Sequence, residues 1–283
     1  MTNPQGVLLR ITTRNARYQE LHALLTNRTK RQRLGEFLIH GVRPITLAVE
    51  QRWPISALLR PAGAKLSGWA LGVIERLTRK PPRAQVIDMA PELFLELADR
   101  TEAPELLAVA RIPSDDLSRI RVPSDGLTLV ADRPANPGNL GTLIRSADAF
   151  GASGVIVTGH AADVYDPKAV RASTGSLFGL PVVRRGSPRD VLEWVATLRS
   201  AKPAVDLQVI GTDEAGDADV FDVDLTGPCL VVVGSEQRGM SATWRQACDR
   251  VVRIPIGGTA SSLNMAVAAS IVCYERERQR RRR

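Results

Sequence analysis

Cysteine and aromatic residues are scarce in this chain of 283 residues, which has three cysteines and 4% aromatic residues. Cys229, Cys248 and Cys273 are odd in number and widely spaced, and no CxxC pair occurs. We therefore expect neither a disulfide framework nor a metal site, and we expect the thiols to lie in the core.

Long hydrophobic runs are also missing. A transmembrane helix needs about 18–20 consecutive apolar residues, whereas the longest runs, Cys229–Val233 and Met265–Tyr274, have the length of a core strand or core helix. The N-terminal residues MTNPQGVLLRITTRNAR lack the apolar segment of a signal peptide. We expect a cytoplasmic protein without a membrane partner.

The common nucleotide-binding signatures are absent as well. Neither the dinucleotide fingerprint GxGxxG nor the P-loop GxxxxGK[ST] occurs. The glycine-rich loop of Rossmann-type methyltransferases is also missing, so the commonest cofactor folds are excluded. With 44% hydrophobic and 24% charged residues, the composition is that of a soluble globular protein long enough for two domains.

Positive charge is concentrated in the first 122 residues. The net charge is +8, of which residues 1–122 contribute +7 and residues 123–283 contribute +1. The densest basic run, with one acid among them, is Arg10, Arg14, Arg17, Arg28, Lys30, Arg31 and Arg33. A solvated helix surface is the ordinary explanation, but the predominance of arginine, whose planar fork suits phosphate, favours a nucleic acid partner.

The apolar pattern divides the chain into two regions. Residues 1–112 have the pattern of a mixed α/β domain, and the polar stretch 113–126 with its two prolines is expected to be a linker. In residues 127–283, short apolar strands such as Gly154–Thr158 alternate with helical segments, the last of them Ser262–Arg278. This alternation predicts a parallel sheet covered by helices on both faces.

Three loops rich in Gly, Asn and Ser leave apolar strands and enter helices in the second region. They run from Asp132 to Arg145, from Gly234 to Ser241 and from Ile254 to Asn264. In open α/β sheets, ligands bind at the carboxyl ends of the strands, where such loops lie. One such loop often only completes a turn, but three in one domain predict a binding site.

The residues of these loops form three motifs in a fixed order. They read N-x-G-N-x-G-x-x-x-R-x-A-x-x-x-G from Asn136, G-x-E-x-x-G-x-S from Gly234, and I-P-x-x-G-x-x-x-S-L-N-x-x-x-A from Ile254. This arrangement resembles the SpoU/TrmH family, RNA ribose 2′-O-methyltransferases of the SPOUT class, and the intervening Tyr165–Phe178 is also typical of that family. The whole chain is similar to the 23S rRNA methyltransferases of the avilamycin-resistance type, which protect antibiotic-producing actinomycetes.

The resemblance implies a fold, a cofactor and partners. The implied fold is α/β, a SPOUT-type parallel sheet with a C-terminal trefoil knot, preceded by a smaller α/β RNA-binding domain. The implied cofactor is S-adenosyl-L-methionine, bound inside the knot. The implied partners are RNA, with 23S rRNA favoured, and a second copy of the chain, since active sites of this family form at a homodimer interface.

The resemblance also assigns roles in transferring a methyl group to a ribose hydroxyl. Arg145 is implied to be the key catalytic residue, and a salt bridge is its structural alternative. Because a guanidinium normally stays charged, we favour a role in gripping a phosphate and orienting the 2′-OH over that of a general base. Asn139 is implied to hold Arg145 or the ribose, with a helix N-cap as the competing interpretation.

Three further residues complete the implied active site. Glu236 contributes to substrate or subunit geometry, unless it caps the helix that begins near Ser241. Ser262 and Asn264 are implied to lie near the ribose and the Arg145 side chain, although either could be a plain cap of the last helix.

Cofactor binding in this family depends largely on backbone groups, so side-chain identity carries little information. Apolar residues are implied to contact adenine, and glycines allow its close approach. The implied cofactor residues are Val233, Gly234, Gly239, Ile254, Ile256, Gly258, Ser262 and Leu263. The chain departs from the usual family pattern at Ile256, where methionine is commoner, and at Gly257-Gly258, and neither change threatens a backbone-mediated pocket.

We therefore expect S-adenosylmethionine-dependent 2′-O-methylation of a ribose in ribosomal RNA. The resemblance implies antibiotic resistance as the biological role, and ordinary RNA maturation is the alternative role. Two alternatives stay open. The same chemistry on transfer RNA is disfavoured because transfer RNA enzymes of this family often have only short terminal extensions. A non-catalytic RNA-binding protein with a degenerate methyltransferase domain is disfavoured because the implied site residues are intact, namely Asn139, Arg145, Glu236, Ser262 and Asn264.

Overall fold

The computed structural model describes residues 8–99 and 102–282, which form two compact units. The N-terminal unit comprises the described residues up to Pro113 together with the later segment Tyr165–Phe178. The C-terminal unit comprises Ser114–Val164 and the described residues from Gly179 onwards. The first seven residues, on which the signal-peptide expectation partly depends, lie outside the described residues.

The described residues contain twelve strands and ten α-helices. The strands are β1 (Leu8–Ile11), β2 (Glu36–His40), β3 (Ile55–Pro61), β4 (Gln85–Met89), β5 (Leu107–Arg111), β6 (Leu127–Asp132), β7 (Gly154–Thr158), β8 (Val182–Arg185), β9 (Gln208–Thr212), β10 (Ala218–Asp219), β11 (Cys229–Val233) and β12 (Arg250–Arg253). The helices are α1 (Ala16–Thr26), α2 (Arg28–Leu34), α3 (Val42–Glu50), α4 (Gly68–Thr78), α5 (Pro91–Ala98), α6 (Pro137–Ala149), α7 (Pro167–Ala172), α8 (Pro188–Ser200), α9 (Ala242–Ala247) and α10 (Met265–Arg280).

The N-terminal unit is built on a mixed five-stranded sheet in the order β1-β4-β3-β5-β2. Strands β1, β4 and β3 are parallel, while β5 runs antiparallel to both of its neighbours. A core that includes Leu21, Phe94 and Leu97 packs helices α1 and α5 against this sheet. The expectation of a mixed α/β fold for this part of the chain is confirmed.

The segment Tyr165–Phe178 completes an aromatic cluster of the N-terminal unit. The ring of Phe37 lies 4.8 Å from that of Tyr165, and the ring of Trp53 lies 5.0 Å from that of Phe178. The indole N–H of Trp53 donates to the carbonyl of Phe178 at 3.2 Å. A stretch of chain that lies between β7 and β8 in sequence therefore supplies core residues to the first unit.

The C-terminal unit is built on a seven-stranded sheet in the order β10-β12-β9-β11-β6-β7-β8, and every strand pair in it is parallel. All residues of β6, β7 and β11 are buried, as expected for strands covered on both faces. In register, Val233 at the end of β11 lies beside Ala131 on one side and Thr212 on the other. The loops that follow β6, β9 and β11 therefore meet at one edge of the sheet.

The predicted linker 113–126 is not a free connection in this structure. Its side chains Leu117 and Ile120 are buried in the core of the C-terminal unit, with Trp244 in the same cluster. The polar residues and prolines that suggested a linker alternate with these two apolar anchors, which is why the stretch packs as part of the unit. The units thus differ from the predicted ranges 1–112 and 127–283 both here and at Tyr165–Phe178.

Some elements differ from their predicted bounds for local reasons. The last helix begins at Met265 rather than Ser262, because the Asn264 side chain caps it. Helix α2 was not predicted, because its sequence RTKRQRL has no apolar periodicity; Asn27 caps its start and Gly35, in the left-handed conformation with φ 66°, ends it. No helix of the described residues is long and apolar enough to span a membrane.

The expectation of core thiols holds for two of the three cysteines. Cys229 and Cys273 are buried, whereas Cys248 is half-buried. Burial raises the pKa of the Cys273 thiol to about 12 and that of the Cys248 thiol to about 11. Both groups therefore stay protonated and unreactive near neutral pH.

Candidate functional site

A cavity of about 630 Å³ opens at the edge of the sheet where β9, β11 and β12 end. Its walls come from the loops that follow these strands and from the segment that enters α10. The lining residues are Thr212, Asp213, Glu214, Ala215, Val233, Gly234, Ser235, Glu236, Gln237, Arg238, Gly239, Arg245, Ile254, Ile256, Ser261, Ser262, Leu263, Met265 and Ala268. Its volume is in the range of small-molecule and cofactor sites.

The cavity brings together most of the residues that the sequence analysis assigned to the cofactor. The predicted residues that line it are Val233, Gly234, Gly239, Ile254, Ile256, Ser262 and Leu263. Gly258 does not line it. Residues distant in sequence converge because parallel strands end at the same edge of the sheet.

The loop after β11 is wound too tightly for a side chain at its first position. A Cβ atom at Gly234 would lie 2.2 Å from the backbone of Gly239 and Met240. Ser235 and Gly239 exchange two backbone hydrogen bonds of 3.1 and 2.8 Å, and Gly239 adopts φ 59°. The loop therefore presents backbone to the cavity at close range, which suits a ligand held mainly by main-chain groups.

The first and second motifs meet through one side-chain hydrogen bond. Nδ2 of Asn139, on α6, donates to Oε1 of Glu236 in the loop after β11 at 2.6 Å. Glu236 also lines the cavity, so this contact lies at the cavity wall. A bond to a carboxylate is among the stronger side-chain hydrogen bonds, and it holds the Glu236 carboxylate in one position.

The capping alternatives for Asn139 and Glu236 are wrong. Asn136 caps α6, since its Oδ1 accepts from the backbone N–H groups of Gly138 at 2.7 Å and Asn139 at 3.2 Å. At the start of α9, the backbone N–H of Ser241 donates to Asp132 at 2.8 Å rather than to Glu236. The side chains of Asn139 and Glu236 are therefore available to each other.

Arg145 is exposed on α6, and it forms no salt bridge with any residue that the structure describes. Among the described residues, it has no hydrogen-bond or ion-pair partner, and it does not line the cavity. The structural alternative of a salt bridge is therefore wrong. Within the described residues, Asn139 makes no hydrogen bond to Arg145, and its Nδ2 donates to Glu236.

Asn264 acts as a helix cap. Its Oδ1 accepts from the backbone N–H groups of Ala266 at 2.9 Å and Val267 at 3.4 Å, so the plain capping interpretation is correct for this oxygen. Its amide nitrogen is still able to donate elsewhere. Ser262 is exposed and lines the cavity without capping the helix.

Several residues at the site were missed by the sequence analysis. Asp213 lines the cavity and forms an ion pair with Arg245, which also lines it. Asp132 and Arg133 contact the loop after β11. The available signal was positional: Asp132 is a charged residue at the end of an otherwise apolar strand, where a carboxylate needs specific partners. Within residues 8–99 and 102–282, no group of three or more His, Cys, Asp or Glu side chains could hold a metal ion.

The basic residues predicted to bind RNA have different surroundings in the N-terminal unit. Arg10, Arg28 and Arg33 are exposed, and Lys30 is partly exposed on α2. Arg17 pairs with Glu20 at 2.9 Å. The exposed positive charge of this run is thus carried mainly by α2 and by Arg10 on β1.

Arg14 is exposed but engaged in a local cluster. It pairs with Glu96, which also accepts a hydrogen bond from the Tyr18 hydroxyl. That hydrogen bond, together with Arg14, lowers the pKa of Glu96. Burial, followed by the Glu96 contact, raises the pKa of Tyr18 to about 12.

Arg31 does not belong to the basic surface, which corrects the sequence-based assignment. It is 2% exposed, and its Nη1 donates to the carbonyls of Leu24 at 2.9 Å and Leu25 at 3.3 Å. Its Nη2 lies 3.5 Å from the Asp166 carboxylate. A guanidinium surrounded in this way stabilises the fold and is not accessible to phosphate.

Comparison with known proteins gives matches in both parts of the chain. Residues 126–274 match the SpoU rRNA Methylase family, and residues 15–108 match the SpoU L30e-like domain. The chain is 54% identical over 272 residues to the 23S rRNA (uridine(2479)-2'-O)-methyltransferase of Streptomyces viridochromogenes, across 96% of this chain and 92% of that protein.

Solved structures give the same result. The crystal structure of the SpoU methyltransferase AviRb from Streptomyces viridochromogenes is similar with a TM-score of 0.86 and 53% identity, covering 95% of this chain and 98% of that one. The structure of AviRb in complex with the cofactor AdoMet is similar with a TM-score of 0.86 and 51% identity, covering 95% and 100%. With residues of the second and third motifs gathered around one cavity, these matches establish that the chain belongs to the SpoU rRNA methylase family.

Proposed function

We propose that this protein transfers a methyl group from S-adenosylmethionine to a ribose 2′-hydroxyl of 23S ribosomal RNA. The observation that carries the proposal is the 54% identity to a 23S rRNA 2′-O-methyltransferase over 96% of the chain, which includes both units. Because ribosomal RNA is the substrate, we assign the protein to the cytoplasm. No metal takes part in the proposed reaction.

The cavity fits S-adenosylmethionine by volume and by chemistry. Val233, Ile254, Ile256 and Leu263 supply apolar surface for the adenine ring, and the tight loop from Gly234 supplies backbone groups. When bound, S-adenosylmethionine supplies the methyl group from its sulfonium. Gly258 is the one predicted cofactor residue that does not line the cavity.

The polar side chains of the site orient the ribose. Arg145 grips the phosphate beside the target nucleotide and aligns the 2′-OH, because a guanidinium is suited to binding phosphate and not to acting as the base. Glu236, held by Asn139, keeps a carboxylate at the cavity wall. Ser262 and the free amide of Asn264 provide hydrogen bonds near the ribose.

A trefoil knot is the proposed path of the C-terminal segment. Two features support it: β12 lies between β10 and β9 in the sheet, and Gly216 packs directly on the β12 backbone. A Cβ atom at Gly216 would lie 2.5 Å from the nitrogen of Arg253, so a side chain there would obstruct the strand. A threaded segment must pass close to the backbone that it crosses, as Gly216 does here.

A homodimer with active sites at its interface is the proposed assembly. Helix α10 leaves Val267 and Tyr274 on one face, 47% and 61% exposed. That helix packs on α6 through a 2.7 Å hydrogen bond between Ser146 and Ser270. Arg145, which has no ion-pair partner within the described part of the chain, precedes Ser146. A second copy on this surface would bury the apolar side chains and complete the surroundings of Arg145.

The N-terminal unit is proposed to bind the RNA. The exposed basic residues of β1 and α2 support this role, and the match to the SpoU L30e-like domain covers α2. Transfer RNA as the substrate, or RNA binding without catalysis, remain the alternatives. The formed Asn139–Glu236 contact argues against a degenerate site.

Methylation mapping tests the proposed function. Purified protein is incubated with S-adenosylmethionine carrying a labelled methyl group and with either unmodified 23S rRNA or total transfer RNA, and 2′-O-methyl positions are mapped by mass spectrometry. We expect label at a ribose of 23S rRNA. Label confined to transfer RNA would contradict the proposal, as would binding of 23S rRNA without any methyl transfer.

A further inference from the structure

A buried polar network lies behind the loop that carries Glu236. Asp132, fully buried at the end of β6, accepts from Thr158 Oγ1 at 2.9 Å and from the backbone N–H of Ser241 at 2.8 Å. Thr158 in turn accepts from the indole N–H of the fully buried Trp244 at 3.2 Å. These bonds connect two strand ends to the end of the Gly234–Ser241 loop.

Arg133 holds the same loop at a second point. Its Nε lies 3.3 Å from the Asp132 carboxylate, and its Nη2 donates to the carbonyl of Gly239 at 3.2 Å. That carbonyl also accepts from Ser235 N, so the two ends of the loop and Arg133 share one oxygen. The Arg133 side chain is 28% exposed, and its guanidinium donates to the backbone of the loop.

The backbone at Arg133 is in an uncommon conformation. Its φ is 55°, in the left-handed region that non-glycine residues rarely adopt. Gly159, with φ 72°, leaves the path of the side chain open, since a Cβ atom there would lie 2.7 Å from Arg133 Cγ. Such conformations persist where surrounding contacts determine them, and they cluster at functional sites.

We infer that Asp132 and Arg133 are positioning residues, which set the Gly234–Ser241 loop so that Glu236 meets Asn139 and the cavity keeps its shape. The inference rests on the proposed function, in which this cavity holds S-adenosylmethionine. Neither residue lines the cavity. Both act through the loop, which contributes Gly234, Glu236 and Gly239 to the cavity wall.

The test compares cofactor affinity in matched arginine variants. Arg133→Ala removes the bond to Gly239, and Arg184→Ala is the control, because Arg184 lies in the same unit, is 22% exposed and pairs with Asp115 at 2.7 Å on β8. The dissociation constant of S-adenosylmethionine is measured by calorimetry without RNA, beside the melting temperature. Single-turnover methylation of 23S rRNA by the wild type tests the proposed function separately.

We expect Arg133→Ala to weaken S-adenosylmethionine binding by about tenfold, the loss expected for one hydrogen bond from a charged donor. Arg133→Lys, which keeps a positively charged donor group but loses the fork, should recover part of this affinity. Arg184→Ala should bind within about twofold of the wild type even though it melts lower. Wild-type affinity in Arg133→Ala, or an equal loss in Arg184→Ala, would overturn the inference.

Asp132→Asn gives an independent readout if Arg133→Ala folds poorly. The amide keeps the shape of the carboxylate but removes its charge and one of its two acceptor oxygens, so the bonds that anchor the loop end through Thr158, Ser241 and Arg133 are weakened. We expect altered fluorescence of the Trp244 environment and weaker binding of S-adenosylmethionine. An unchanged spectrum together with unchanged affinity would also overturn the inference.

Discussion

Nδ2 of Asn139 lies 2.6 Å from Oε1 of Glu236, although the two residues are 97 positions apart in the chain. The contact joins the start of α6 to the loop after β11 at the wall of the cavity. A neutral amide and a carboxylate form a complementary pair, and the structure uses neither side chain to cap a helix. The pair therefore has a defined polarity, with the donor on α6.

Replacing the donor of this pair by an acceptor should slow methylation strongly. Exchanging the donor and acceptor between the two positions should restore part of the rate. Asn139→Asp places two carboxylates in contact, which costs several kcal/mol and should slow single-turnover methylation by about 100-fold or more. Adding Glu236→Gln returns a donor to the contact, so the double variant should recover at least about tenfold. A double variant no faster than Asn139→Asp would show that the two residues act separately.

Arg145→Ala should reduce the single-turnover rate by about 10²–10³-fold, as expected for loss of an orienting and electrostatic contact. The affinity for S-adenosylmethionine should stay near that of the wild type, because Arg145 does not line the cavity. Arg145→Lys should fail almost as badly, since the fork is lost. Arg189→Ala, another exposed arginine of the same unit, is the control. Retention of more than about a tenth of the rate would refute this assignment.

Salt dependence of RNA affinity tests the basic surface on α2. Replacing Arg28, Lys30 and Arg33 by Ala should weaken binding and reduce the slope of log K against log salt by about two, because each phosphate contact releases counterion. A control of equal charge change uses three exposed residues of the same unit, Arg79, Lys80 and Arg83. An unchanged slope in the α2 variant, or an equal change in the control, would locate the RNA surface elsewhere.

Arg31 should behave differently from its neighbours. Arg31→Ala leaves the carbonyls of Leu24 and Leu25 and the Asp166 carboxylate without their guanidinium partner. We expect the free energy of unfolding to fall by about 2–4 kcal/mol, measured by urea denaturation. The salt slope of RNA binding should not change. A lower slope without loss of stability would return Arg31 to the RNA surface.

Antibiotic tolerance tests the biological role. A 2′-O-methyl group removes a hydrogen-bond donor and adds bulk where a drug packs, and a loss of about 3 kcal/mol weakens drug binding more than a hundredfold. Cells that express the protein should therefore tolerate a ribosome-directed drug, with an orthosomycin such as avilamycin tried first. Arg145→Ala should remove the protection. Methylation of 23S rRNA without a change in tolerance would leave an RNA maturation role.

Much of the C-terminal unit could be predicted from the sequence. Strands such as Gly154–Thr158 and Cys229–Val233 are short, fully apolar and separated by helical patterns, and the structure has them at the predicted bounds in an all-parallel sheet. Burial on both faces of a parallel sheet leaves few alternatives for such runs. The convergence of the three glycine-rich loops follows from the same topology.

The order of residues along the chain was therefore enough to predict the motifs, the parallel sheet and the edge of the sheet where the cavity opens, because periodicity and motif spacing are local properties. The partner of each polar side chain depends instead on tertiary packing. Arg31 and Arg33 are alike in sequence, yet one is buried against carbonyls and the other is exposed, because burial depends on helix packing. Likewise, Asn139 meets Glu236, and Asp132 meets Ser241, only because distant strands end side by side.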